Sequence, residues 1–362
     1  MRPRSLAATL VALAALAYPY GARAATVIGS TRVFARVEAP GMPEGIAVDP
    51  RGDHVYVGTN AHAAGNPGAG PSKVFAYAMA TGAKIAEHTV EGQRLSETHG
   101  VVGFAPGGRH DVYVADRNPA RILRIDFSGA RPTQSTYAAL PDLAPCATGA
   151  APCSQTASDL APYPDGIAFD HDGALYVSDF QQATIFRVPP GGGAAEVWFT
   201  DQRLESPFGP NGLAIDKSKR TLYFATTGAA LPPLTGRGVI YTLPLRSAPS
   251  ATDLDTFFTY PDPAAGPDGI AFGKSGQLYV ALAGANAVSV LSPDAREVAR
   301  FPDAVANATQ TVPYDMPASI AFNDAARSIL VTNHTYATSN PANWVVFEAF
   351  VDDVALRLPL PR

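Results

Sequence analysis

Six short phrases in the chain carry one residue each at the same place, ahead of a small residue that opens an apolar run. They are Glu44 in "MPEGIAV", His99 in "ETHGVVGF", Asp165 in "YPDGIAF", Asn211 in "GPNGLAI", Asp268 in "GPDGIAF" and Ala318 in "MPASIAF". Asp-Gly and Asn-Gly are common turn dipeptides, which accounts for Asp165, Asn211 and Asp268 without any site. Turn chemistry does not account for Glu44, nor for the shared register of the set. Three carboxylates and an amide gathered around one axis would repel each other unless a cation or protons compensated them. Hard oxygen donors of this kind suit Ca²⁺ first, Mg²⁺ or Mn²⁺ next and Zn²⁺ last.

Such residues need a scaffold that repeats. The six positions lie 46 to 66 residues apart, a period that signals a propeller or a solenoid. Each repeat has one internal order: a first strand such as "GIAFD", a polar turn such as "HDG" or "PRGD", and a second strand such as "LYVSD". A third apolar run follows ("KVFAYAM", "RILRIDF", "TIFRVPP", "VIYTLPL", "AVSVLSP", "WVVFEAF"), and usually a fourth, as in "AEVWFT" and "LDTFFTY". Short β-branched and aromatic runs bounded by turn residues read as strands, and no long segment sustains a helical period. Six four-stranded units predict an all-β, six-bladed β-propeller, in which radial repetition leaves few open edges. The last repeat has no clear fourth strand after "WVVFEAF", while "TRVFARVEAPG" precedes the first phrase without a blade of its own. The N-terminal strand is therefore expected to complete the sixth blade. In a propeller the first strand of each blade lines the central channel, which would bring the six residues to one mouth of it.

Composition narrows the class. A net charge of -5 with 16% charged and 46% hydrophobic residues excludes a disordered tail and gives no electrostatic case for nucleic acid. "MRPRS", then "LAATLVALAALAY", then "ARA" at 22–24 has the three parts of a secretory signal and is too short for a comfortable membrane span. The expected organisation is a signal peptide over 1–24, a propeller domain over 25–362, and a secreted or periplasmic protein with no membrane span after cleavage. The only cysteines, Cys146 and Cys153 in "PCATGAAPC", are expected to form a disulfide in an exported chain.

The residues after position 24 resemble the SMP-30/gluconolactonase/LRE family of six-bladed propellers, related to the diisopropyl-fluorophosphatase and paraoxonase type. The resemblance is carried by "PEG" at Glu44, "PNGLAID" at Asn211 and "PDGIAFG" at Asp268. It implies that Glu44, Asn211 and Asp268 bind a divalent metal at the top of the channel, with Ca²⁺ the first expectation. Many relatives have "ND" where this chain has Pro164-Asp165, which leaves Asp165 as a fourth ligand or as a partner of the ligands. "THG" at His99 resembles the paraoxonase-type histidine at the channel mouth, and "VTNH" ending at His334 resembles the sixth blade of the phosphatase-type relatives. The implied activity is hydrolysis of lactones, including sugar lactones, and of some organophosphates, for which a metal polarises the carbonyl or phosphoryl oxygen and holds water. Asp268, Asp165 and His99 are the candidates for the base.

Substrate choice should come from the loops on the metal face. Three are long, over 60–72, 146–162 and 227–237, and the last two are apolar and proline-rich. With Phe180, Phe208, Tyr336 and His334 nearby, the expected substrate is a small lactone or ester with apolar character, bound by a monomer. His54, His110 and His171 fall in or beside first-to-second-strand turns, on the opposite face, and read as solvated surface residues. Two other readings stand beside the hydrolase: a binding module with structural calcium, and a strictosidine-synthase-like enzyme. The latter would not be expected to keep Glu44, Asn211 and Asp268.

Overall fold

The structure is a computed structural model of the chain and describes residues 27–61, 70–108, 110–206, 208–228, 236–357 and 360–361. The expected signal peptide over 1–24 lies outside the described residues, as do parts of the loops over 60–72 and 227–237.

Six four-stranded antiparallel units are arranged as blades of a propeller. From the axis outward, blade 1 comprises Pro43–Val48, His54–Thr59, Lys73–Ala78 and Lys84–Thr89. Blade 2 comprises Val101–Pro106, Asp111–Arg117, Ala120–Asp126 and Thr133–Ala139, with the short Gly193–Ala194 strand added in parallel at its rim. Blade 3 runs Pro164–Phe169, Leu175–Asp179, Thr184–Val188 and Glu196–Thr200, and blade 4 runs Pro210–Ile215, Thr221–Thr226, Val239–Pro244 and Asp255–Thr259. Blade 5 runs Pro267–Phe272, Leu278–Leu282, Ala287–Leu291 and Glu297–Phe301. Blade 6 has Pro317–Asn323, Ser328–Asn333 and Val345–Phe350, and its outer strand is Thr31–Arg36 from the other end of the sequence, paired Thr31 to Ala349. The N-terminal strand thus closes the ring as expected. Each inner strand touches that of the next blade, and blade 6 touches blade 1.

The strands alternate between faces, so each blade offers an apolar surface to both neighbours. Among the described residues the core falls into six clusters, one per interface between adjacent blades. Phe75 and Tyr77 of blade 1, for example, pack with Leu330 and Val346 of blade 6. Burying a side chain of this size contributes about 1.5–3 kcal/mol.

Two local devices position the inner residues. First, every inner strand leaves ladder register just after its first residue, between Pro43 and Ile46, Val101 and Phe104, Pro164 and Ile167, Pro210 and Leu213, Pro267 and Ile270, and Pro317 and Ile320. A bulge re-aims the residues it releases, here Glu44, Asp165, Asn211 and Asp268. Second, the glycine that follows lets the inner strands close tightly around the axis. A Cβ on Gly45 would strike the Val102 carbonyl oxygen, one on Gly103 that of Asp165, and one on Gly166 that of Asn211. On Gly212 it would lie 2.6 Å from the Asp268 oxygen, and on Gly269 2.6 Å from that of Ala318. In blade 6 the position is Ser319, and there Thr332 Oγ1 donates to the Glu44 carbonyl at 2.5 Å. The repeated glycine is therefore a packing requirement of the ring.

This register corrects one expectation. The blade 2 equivalent of Glu44 is Val102, not His99, because Val101 pairs with Asp116 as Pro164 pairs with Asp179.

Candidate functional site

A cavity of about 960 Å³ opens at the mouth where the inner strands begin. Its floor holds Glu44, Asp165, Asn211 and Asp268, each from the bulge of a different blade, and all four line it. Glu44, Asp165 and Asn211 are 4–5% exposed, so their polar atoms must be satisfied inside the protein.

Arg117 enters from the end of the second strand of blade 2. Its Nη2 donates to Asp165 Oδ2 at 2.7 Å and to Glu44 Oε1 at 3.4 Å, and its guanidinium lies over the Tyr163 ring, 4.0 Å from the centroid. Burial opposes its charge, but Glu44 and Asp165 more than offset that and push its pKa up. Glu44 also accepts a hydrogen bond from Asn60 Nδ2, and that amide nitrogen lies 3.3 Å from His334 Nε2. Asn211 Nδ2 donates to Thr227 Oγ1 at 3.0 Å, and Thr227 in turn donates to the Pro267 carbonyl at 2.7 Å. With the amide oriented this way, Asn211 Oδ1 is buried with no hydrogen-bond partner among the described residues.

Burial dominates the electrostatics. It raises Asp165 to about 7, against the pull of Arg117, and it raises Glu44, with Arg117 and Asn60 pulling back. Asp268 is raised well above the usual carboxylate range, by burial first and then by the charges of Asp165 and Glu44. His334 is lowered to about 3 by burial and by Arg117, so it stays neutral. Three carboxylates against one guanidinium leave two negative charges when all are ionised. Two excess negative charges, oxygen donors and an unpartnered buried amide oxygen fit a hard divalent cation.

The walls carry the expected apolar residues. Phe180, Phe208, Tyr336 and His334 all line the cavity. Phe180 and Phe208 pack edge to face with centroids 5.2 Å apart, and Tyr163 lies 5.3 Å from Phe180. Cys146 and Cys153 are joined by a disulfide, and the loop it crosses brings Leu140, Asp142, Ala161 and Pro162 to the rim.

His99 does not join this group. It is 1% exposed and is not among the described residues that line the cavity. Its ring nitrogens face carbonyl oxygens instead, Nδ1 that of Glu97 at 2.8 Å and Nε2 that of Gly70 at 2.9 Å.

Asn60, Arg117, Tyr163 and Thr227 were not read from the sequence as site residues. Three of them follow a rule. The residue after the one that pairs with the first residue of each inner strand is Asn60, Arg117, Phe180, Thr227, Ala283 or His334 in blades 1 to 6, and these form a second ring, all but Asn60 lining the cavity. The signal is visible only once the second strands are aligned as closely as the first.

A family model, that of the SMP-30/Gluconolactonase/LRE-like region, matches residues 200–335. The chain carries an SMP-30/gluconolactonase/LRE-like region. That region contains Asn211, Asp268, Phe208 and His334, while Glu44, Arg117 and Asp165 lie before it. The calcium-binding protein regucalcin from Agrobacterium tumefaciens superposes with a TM-score of 0.64 at 19% identity, over 93% of this chain and 99% of that one. Luciferin-regenerating enzyme gives 0.61 at 13%, over 92% and 99%. A chain provisionally named a gluconolactonase gives 0.58 at 16%, over 94% and 96%. Likenesses at these identities establish the shared six-bladed fold. No curated protein sequence matches.

Proposed function

We propose that the chain is an exported, metal-dependent hydrolase of the lactonase type, acting on small lactones or esters with apolar character. The observation that carries this is the cavity floor: the buried carboxylates of Glu44 and Asp165, the half-buried one of Asp268 and an unpartnered amide oxygen, in excess of the Arg117 charge, under a wall of aromatic side chains. Glu44, Asn211 and Asp268 would hold the metal, with Asp165 as a fourth donor or as their partner, and Ca²⁺ suits the donors best. When bound, such an ion supplies Lewis-acid polarisation of the substrate carbonyl.

The chain's own groups do the rest. Thr227 fixes the Asn211 amide so that its oxygen stays available. Arg117 fixes Asp165 and is placed to stabilise charge that builds on the substrate oxygen. Asp268 or Asp165, both on the cavity floor, is placed to take the proton from water. His99 is left out of that role because both its ring nitrogens face carbonyls. Phe180, Phe208 and Tyr336 exclude water and favour an apolar ring or acyl group. The disulfide is consistent with an oxidising compartment.

The test is turnover of a panel of lactones, aryl esters and phosphotriesters by the purified protein, before and after EDTA and after Ca²⁺ is restored. Asp268→Asn and Glu44→Gln should lose turnover and bound metal together. Stoichiometric metal at wild-type affinity in Asp268→Asn removes the ligand assignment. No turnover of any class with saturating Ca²⁺ removes the hydrolase reading in favour of a binding module. One observation favours that second reading: Arg117 already compensates part of the floor charge without any metal.

A further inference from the structure

On the face opposite the cavity, the turn between the first two strands of blade 1 carries Asp49 and His54, and the equivalent turn of blade 2 carries His110. The sequence reading takes both histidines as solvated surface residues. The structure instead gathers them with Asp49. His54 Nδ1 and His110 Nδ1 are 2.9 Å apart, and Asp49 Oδ2 lies 3.3 Å from the first and 4.0 Å from the second. The three atoms lie within 4.8 Å of one another. Ligands bound to a tetrahedral ion at about 2.0–2.1 Å are separated by about 3.3 Å, which falls inside this triangle.

A second observation points to a ligand. The Asp49 side chain is fully buried. Its Oδ1 accepts from the Asp53 backbone at 2.8 Å, but its Oδ2 has no hydrogen-bond partner among the described residues. A buried carboxylate oxygen in that state costs several kcal/mol unless a cation or a proton completes it. A hydrogen shared between the two histidine nitrogens leaves the carboxylate oxygen unserved. A cation bound by all three atoms serves every one of them.

We propose that Asp49, His54 and His110 form a second metal site, distinct from the cavity, for a borderline divalent ion such as Zn²⁺. Two imidazoles and one carboxylate are donors that Zn²⁺ takes readily and Ca²⁺ does not. The histidine side chains are 21–25% exposed, so the fourth position opens to solvent. Because the ligands come from two blades, the bound ion ties blade 1 to blade 2.

The experiment uses untagged protein, stripped of metal and then saturated with Ca²⁺ to fill the cavity. Co²⁺ is titrated first, as a probe with visible absorption, and Zn²⁺ is then used to displace it. Wild type should bind one Co²⁺ with low-coordinate visible bands, and one Zn²⁺ should remove them. The His54→Gln/His110→Gln double variant should lose that equivalent while keeping the other histidines. Asp49→Asn, which can still accept from Asp53, should bind it at least 10-fold more weakly. Zn²⁺ should raise the thermal midpoint of wild type and not of the double variant. If wild type takes up no Co²⁺ or Zn²⁺ in the presence of Ca²⁺, or if Asp49→Asn binds with wild-type affinity, the site does not exist. The Asp49→Asn result decides the matter even if the double variant fails to fold.

Discussion

Arg117→Met takes one positive charge out of a floor that holds Glu44, Asp165 and Asp268. The side chains of Arg117, Glu44 and Asp165 are 5–6% exposed, so water cannot take the place of the guanidinium. At an effective dielectric of about 20, its gross attraction at 2.7 Å and 3.4 Å is about 6 and about 5 kcal/mol. Desolvation of the guanidinium offsets much of this, and removing one partner of a buried pair costs about 3–5 kcal/mol net. Stripped of metal at pH 8, the variant should therefore lose about 4 kcal/mol. Protons can compensate the stranded carboxylates. The variant's native state then binds more protons than its unfolded state, so its stability falls as pH rises. Each pH unit withdraws about 1.4 kcal/mol per proton taken up, and the penalty should be larger at pH 9 than at pH 7. Calcium should stabilise the variant more than wild type, because the excess negative charge is greater. Urea unfolding followed by tryptophan fluorescence, in EDTA and in Ca²⁺, measures all three effects. A loss below about 1 kcal/mol in EDTA, or equal stabilisation of both proteins by Ca²⁺, would refute the charge balance drawn here.

Gly212→Ala places a Cβ 2.6 Å from the Asp268 carbonyl oxygen and 2.6 Å from Gly269 Cα, so it should cost about 1–3 kcal/mol and weaken metal binding by spreading Asn211 from Asp268. Isothermal titration with Ca²⁺ reads the second effect. Thr227→Val releases the Asn211 amide, which should weaken metal binding about 10- to 100-fold with the fold unchanged by circular dichroism. Cys146→Ser with Cys153→Ser opens a short loop and should cost at most about 3 kcal/mol. Because the segments flanking that loop carry Leu140, Asp142, Ala161 and Pro162 into the cavity lining, KM should rise more than kcat falls, and alkylation of unreduced wild type should leave its intact mass unchanged.

The fold was legible because five of the six repeats spell the bulge and glycine as Pro-x-Gly or Pro-x-Ser. Blade 2 has no proline there, and two glycines lie three residues apart, Gly100 and Gly103. The reading settled on the first because His99 offers chemistry. The ring takes the second, because it is Gly103 whose Cβ would strike the Asp165 carbonyl. Arg117 was missed for a related reason. Its ring is defined by backbone position alone, and the residues that share it, from asparagine to alanine, have nothing chemical in common. His54 and His110 were assigned to the correct face. That their turns touch is a fact about neighbouring blades, which a one-dimensional alignment does not contain.

The outer strand of blade 6, Thr31–Arg36, precedes every other strand among the described residues and is the one that closes the ring. Its partner, Val345–Phe350, follows every other strand among the described residues, so the ring cannot close until the strands of all six blades have been made. Until then Val345–Phe350 and Thr31–Arg36 are both open strand edges, of the kind that pair with other chains. Closure also brings together segments separated by almost the whole sequence, a slow step in folding. A bulky group attached close before Thr31 would therefore crowd the strand that completes blade 6.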